Sequence, residues 1–296
     1  MSQKIKIMIL GGARENGKNM YAVQVEDEIF IMDAGLKYPD SSLLGIDVVI
    51  PDLQFFQDYA DKIAGIFLTH GHADSIGALP YILRDHDIPV FGSKLTIELA
   101  KIAVQHENRR RKNDLFHVID ADTEIEFKNA NVSFFKTTHS IPDSLGIDIS
   151  TKEGEIVYTG DFKFDPSAKK GYRTDFVRLS EIAQKGVLAL LSDSTNAEAN
   201  FPNDRQTSIE KYIYNIFENY DGRIIAAAKA SNIVRVQEIF QAAAATGRHV
   251  FLTGRDAGKI VYTAMKLGYL NVPKGLLVHS KDLKKIPDNE LVILET

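Results

Sequence analysis

Alternation of apolar and polar positions dominates the first half of the chain. Lys4-Ile5-Lys6-Ile7 sets the period, and β-rich runs at 5–10, 21–25, 29–33, 63–69, 131–137 and 155–159 predict strands of sheets with one wet face. Helical spacing intervenes at 53–59, 77–85 and 94–107, the last placing Leu95, Leu99, Ile102 and Ala103 on one face. Beyond Gly186 the rhythm changes. A buried strand is predicted at 187–191, then a helix at 207–219 carrying Ile209, Ile213 and Phe217. Strand 223–228, helix 232–245, strand 249–252, helix 257–267 and strand 291–294 follow. This strand–helix alternation predicts parallel strands with helices packed on them. Asn, Pro and Asp cluster between Ala197 and Asn203, so the expected domains are 1–197 and 198–296. Thr296 directly follows an apolar strand, and the chain is therefore expected to be a truncated or proteolysed piece of a longer polypeptide.

Composition narrows the function classes. Hydrophobic residues at 44% and charged residues at 25% are those of a globular protein. The chain has no cysteine, which excludes a disulfide scaffold and any thiolate-held metal, so a transition metal would need His, Asp or Glu. No apolar stretch is long enough to cross a bilayer, and the first ten residues lack a signal-peptide core. A cytoplasmic protein without a membrane partner is expected. The formal charge of −5 argues against a broadly basic nucleic-acid binder, although a local basic groove would serve.

The densest chemistry is Thr69-His70-Gly71-His72-Ala73-Asp74-Ser75, between a predicted strand and a predicted helix. Two imidazoles two residues apart can turn toward one ion, and Asp74 can reach a second ion or its water. Imidazole suits zinc, and mixed imidazole–carboxylate sets also accept manganese. His139 and Asp161 each end a strand, as does Asp33 in Ile31-Met32-Asp33-Ala34-Gly35. Each alone reads most simply as a loop or turn residue. Together they would place their side chains on one rim of a sheet.

Asp33, His70/His72/Asp74, His139 and Asp161, in that order, resemble the successive signature motifs of the metallo-β-lactamase fold. Gly17-Lys18-Asn19-Met20, Thr137-Thr138-His139-Ser140-Ile141-Pro142-Asp143-Ser144, Thr159-Gly160-Asp161-Phe162-Lys163-Phe164-Asp165 and Ser192-Asp193-Ser194-Thr195-Asn196-Ala197 resemble the ribonuclease J family. The resemblance implies an α/β chain: an incomplete αββα metallo-β-lactamase sandwich followed by part of a parallel-sheet β-CASP domain. It implies a metal-dependent ribonuclease of RNA processing and decay, with 5′-to-3′ exonuclease and some endonuclease activity. His70, His72, Asp74, His139 and Asp161 become the metal ligands, Asp74 and His72 the catalytic pair, and Asp33 a support behind the ligands. RNA is the implied partner, with homo-oligomers and hetero-oligomers with a paralogue in the full-length protein. Ser194 and Thr195 are candidate phosphate contacts. The basic run Arg109-Arg110-Arg111 is a candidate RNA contact, against the plainer reading of a solvated helix end.

Three departures qualify this. Ser75 stands where the family usually has a second-ion histidine, so one ion rather than two is expected, as in the second, weakly active paralogue of the family. Arg14 and Asn16 replace a small and an apolar residue. The later histidine and the 5′-phosphate loop of the family lie outside these 296 residues, so this piece alone is expected to bind metal poorly. The competing reading is a nearly inactive RNA-binding subunit that stabilises an active paralogue.

Overall fold

The computed structural model describes residues 2–40, 42–107, 113–166, 168, 172–198 and 205–296. It divides into two units: Met1–His139 with Asp143–Thr195, and Ser140–Pro142 with Asn196–Thr296.

The first unit opens with an antiparallel ribbon of β1 (Ile5–Gly11), β2 (Met20–Val25) and β3 (Glu28–Met32). After α1 (Gln54–Tyr59), β4 (Ile63–Phe67) pairs parallel to β3. The short helices α2 (Ala73–Ile76) and α3 (Leu79–Asp85) lead to β5 (Val90–Gly92), α4 (Lys94–Glu107) and β6 (Phe116–Val118). The sheet order is β1-β2-β3-β4-β5-β6. The second sheet contains β7 (Glu124–Glu126), β8 (Asn131–Lys136), β9 (Leu145–Thr151) and β10 (Gly154–Tyr158), followed after α5 (Phe176–Lys185) by β11 (Val187–Leu191). Its order is β11-β10-β9-β8-β7.

One apolar layer lies between these sheets. Val23, Phe30, Met32 and Phe67 from the first meet Val132, Phe134, Ile147, Ile149 and Ile156 from the second, all fully buried. Burying such side chains contributes about 1.5–3 kcal/mol each. The helix α4 packs on β5 and β6, and α5 covers the outer face of the second sheet through Ile182, Phe135 and Val157. The layers are therefore helix, sheet, sheet, helix. Asp175 starts α5 by accepting the Arg178 N–H at 3.0 Å.

In the second unit, β12 (Ile224–Ala227), β14 (Leu291–Glu295) and β13 (His249–Thr253) form a parallel sheet in that order. The helices α7 (Ile233–Ala245) and α8 (Ala257–Lys266) pack on β13, and α6 (Arg205–Asn219) packs on α7. The predicted strand–helix rhythm matches these elements.

Two expectations need correction. The run 187–191 is a strand but is not buried: β11 pairs with β10, leaving Val187 45%, Leu188 50% and Leu190 64% exposed. Among the described residues it is the edge strand of the second sheet. The edge strand β1 likewise exposes Ile9 at 60%, against the one-wet-face pattern. Among the described residues, β5, β6, β7, β9 and α5 were not foreseen. The first three span three residues each, too few for a period to register.

Candidate metal centre

The predicted ligands leave strands of both sheets, not one. Asp33 follows β3 and His70 follows β4 in the first sheet, while His139 follows β8 and Asp161 follows β10 in the second. The sandwich brings these ends together. The rings of His70, His72 and His139 form a triangle with centroid separations of 4.9, 4.7 and 5.0 Å. His70 Nε2 lies 3.7 Å from Asp74 Oδ1 and 3.9 Å from Asp161 Oδ2, which is also 3.9 Å from His139 Nε2. The two ligand groupings are His70–His72–His139 and His70–Asp74–Asp161, each with its donor atoms within 4.8 Å of one another.

Local backbone holds this arrangement. The segment after Asp33 pairs with the turn that carries Asp74: Ala34 N–H donates to the Ser75 carbonyl at 2.8 Å and Leu36 N–H to that of Ala73 at 2.9 Å. Asn19 N–H donates to the Asp74 carbonyl at 3.0 Å. A Cβ on Gly35 would lie 1.6 Å from that same carbonyl oxygen, so only glycine allows this approach. Gly160, before Asp161, has φ +57°, and a Cβ there would meet the Thr69 side chain at 2.7 Å.

Behind His70 sits a buried hydrogen-bonded network. Asp33 accepts the Thr69 N–H at 2.8 Å, the Thr69 hydroxyl at 2.9 Å and the Tyr158 hydroxyl at 2.9 Å. The Thr69 hydroxyl also lies 2.9 Å from His70 Nδ1. This leaves Nε2 as the atom facing the other ligands and fixes the ring's orientation. Burial pushes the Asp33 carboxyl up to about 8, against the pull of its three donors. Asp33 also holds a left-handed backbone, φ 59°, a strained state for a residue with a Cβ. Thr69 and Tyr158 were not foreseen as site residues. Their only sequence signal is position, one precedes His70 and the other ends a buried strand.

The centre suits a cation. Burial, reinforced by His72 and His139, holds the His70 imidazole well below its ordinary range. Burial brings His139 down to about 4, opposed by Asp193 and aided by Lys163. Neutral imidazoles are the form that binds metal. His70 Nε2 and Asp74 Oδ1 are both buried without a hydrogen-bond partner, a costly state for polar atoms that a divalent ion would relieve. The donor set of three imidazoles and two carboxylates suits a divalent metal ion.

Beside the centre lies a cavity of about 590 Å³, lined by Asp161, Tyr158, Tyr21, Asp193, Ser194 and Thr195 together with residues 12–17 and Asn19 of the β1–β2 loop. Ser194 and Thr195 thus share a cavity with Asp161. Asp193 accepts the Thr195 N–H at 2.7 Å, an Asx-type turn. Arg109, Arg110 and Arg111 lie outside the described residues.

The profile of the metallo-beta-lactamase superfamily matches residues 13–212. The chain belongs to the metallo-beta-lactamase superfamily. Residues 221–296 match the beta-CASP domain of ribonuclease J. Ribonuclease J 2 of Streptococcus pyogenes serotype M3 is 54% identical over 292 residues, covering 98% of this chain and 53% of that protein. Ribonuclease J 2 of Staphylococcus aureus strain NCTC 8325 is 45% identical over 295 residues, covering 100% of this chain and 53% of that protein. The chain thus spans about half the length of the curated relatives it matches. The crystal structure of a protein of unknown function from Enterococcus faecalis V583 shares the fold, with a TM-score of 0.69 at 16% identity, covering 100% of this chain and 77% of that one.

In this superfamily member, Ser75 is fully buried in α2, with its Oγ 3.4 Å from His70 Nδ1. It faces the back of the His70 ring rather than the atom turned to the other ligands. Among the described residues, the second ligand grouping adds only Asp74 and Asp161 to the first.

Proposed function

We propose that this chain forms the metal-binding part of a metal-dependent ribonuclease that acts in RNA processing and decay in the cytoplasm. The activity is 5′-to-3′ exonucleolytic with an endonucleolytic component, and turnover is low. The convergence of His70, His72 and His139 on Asp161 and Asp74 carries this reading. Residues 1–197 are the metallo-β-lactamase part and 198–296 the β-CASP part of the full-length protein. It assembles with itself and with a paralogue.

His70, His72 and His139 with Asp161 would hold one ion, zinc or manganese, and Asp74 would stand beside it. The chemistry such a divalent cation would supply there, when bound, is a lowered pKa for a water and an offset of charge on the phosphodiester. Asp74 orients that water and takes up its proton, with His72 alongside. Asp33, through Thr69, keeps His70 in register. Ser194 and Thr195 offer hydroxyls to a backbone phosphate, and Arg109, Arg110 and Arg111 add sequence-independent attraction.

Ser75 supports both the low turnover and a second reading. A hydroxyl there leaves a second ion short of a ligand, and loss of one electrostatic contact to a transition state costs about 3 kcal/mol, roughly a hundredfold in rate. If that loss is larger, the protein is an RNA-binding subunit that supports an active paralogue. Elemental analysis of the full-length protein, alongside its degradation of 5′-monophosphorylated RNA, separates the two. Bound metal with slow turnover, raised by Ser75→His, is expected. No metal and no turnover leaves the subunit reading. Cleavage as fast as that of a relative with the full two-ion ligand set would overturn the account of Ser75.

A further inference from the structure

The loop joining β1 to β2 shares its one acid between two lysines. Glu15 accepts the Gly12 N–H at 3.3 Å and pairs with Lys18 at 3.2 Å and Lys37 at 3.3 Å. That contact occupies the loop's acid and both neighbouring lysines. Arg14 is left exposed, and among the described residues no hydrogen bond or ion pair engages its guanidinium. Its backbone is left-handed, φ 61°, a region that penalises every side chain bearing a Cβ and that glycine occupies freely. A strained, unpartnered arginine is a poor choice for loop stability, which directs attention to what it faces.

Arg14 lines the same cavity as Asp161, Asp193 and Thr195. Glu15 is paired with Lys18 and Lys37, which do not line the cavity, and the other charged side chains that line it are two carboxylates and one guanidinium. An approaching phosphodiester meets repulsion from Asp193, and from Asp161 unless a cation offsets it. Arg14 is the cavity's own fixed positive charge, and its planar fork matches two phosphate oxygens at once. The loop is anchored to the centre, because Asn19 N–H is held by the Asp74 carbonyl and Lys18 N–H by that of Leu36.

We propose that Arg14 binds a backbone phosphate of the RNA strand in this cavity, supplying positive charge beside a centre whose second ion site lacks an imidazole at Ser75. This rests on the reading of the centre as a ribonuclease site. The test is binding of a short, 5′-phosphorylated 2′-O-methyl RNA, which resists cleavage, to the full-length protein over a series of salt concentrations. Arg14→Gly removes the guanidinium and the backbone strain together. It should leave the melting temperature unchanged or raised, weaken binding about tenfold, and reduce the slope of log affinity against log salt by about 0.7. Arg14→Lys should keep the slope while losing part of the affinity. Unaltered affinity and slope in Arg14→Gly, with the unsubstituted protein binding normally, would overturn this proposal and leave the ribonuclease reading intact. A lowered melting temperature in Arg14→Gly would make the role structural and would also overturn it. If the unsubstituted protein neither binds nor cleaves RNA, the ribonuclease reading falls first and this proposal with it.

Discussion

Asp33 and Asp148 are both fully buried in the same sandwich, and their surroundings differ. Asp33 lies where strands of the two sheets meet, and three hydrogen bonds reach it from Thr69 and Tyr158. Asp148 lies mid-strand in β9, on the face covered by α5, and receives the Ser133 hydroxyl at 3.2 Å. Its neighbour is another acid, Glu155, which takes the Ser150 hydroxyl at 2.9 Å. One oxygen of each, Asp148 Oδ1 and Glu155 Oε2, has no hydrogen-bond partner. Burial raises both aspartates, Asp33 to about 8 and Asp148 to about 7, the latter helped by Glu155 and opposed by Lys185. Desolvation is thus common to the two. The neighbours distinguish them, since three donor hydrogen bonds build Asp33 into a support for His70, whereas Asp148 receives one and faces a second acid.

Asp33→Ala should have the largest effect. It strands the Thr69 and Tyr158 donors, costing about 3 kcal/mol by denaturant melts, and frees His70 to lower metal affinity about 10–100-fold. Unchanged metal affinity would break the comparison, because Asp33 would then be structural only.

Asp148→Asn should act in the opposite direction. The folded state holds this proton up to about pH 7, whereas the unfolded chain releases it near pH 4. Between those values the folded form binds more protons, so stability falls as pH rises and levels off above about pH 7. Asp148→Asn should flatten that slope and raise the melting temperature by about 2–5 °C near pH 8. A melting temperature that falls at that pH would contradict the assignment.

The smallest effect belongs to Tyr158→Phe. Two Thr69 hydrogen bonds to Asp33 remain, so a loss of about 1 kcal/mol is expected, with metal affinity changed only a few-fold. A loss as large as that of Asp33→Ala would shift the weight of the network onto the tyrosine.

The side chains that converge at the candidate centre were legible in the sequence because their pattern resides in residue type and position: His or Asp at a strand end, followed by a turn. The network behind them was not. Tyr158 reaches Asp33 across 125 residues, and no local pattern records that pairing. Nor does local pattern say which sheet a strand joins. The four strand ends read naturally as one rim, yet they come from two sheets. Pro142-Asp143-Ser144 signals a turn at the start of β9 and masks the alternation of Leu145, Ile147 and Ile149 that follows. Apolar character in β11 was mistaken for burial, whereas an edge strand can carry the same residues.

The central claim is that His70, His72, His139 and Asp161 hold one divalent ion. Calorimetric titration of the full-length protein with zinc, and separately with manganese, tests it most directly when repeated on His139→Ala. The account predicts a single saturable site per chain, weakened at least about a hundredfold by the substitution. Absence of saturable binding to the unsubstituted protein, or equal affinity in His139→Ala, would contradict it.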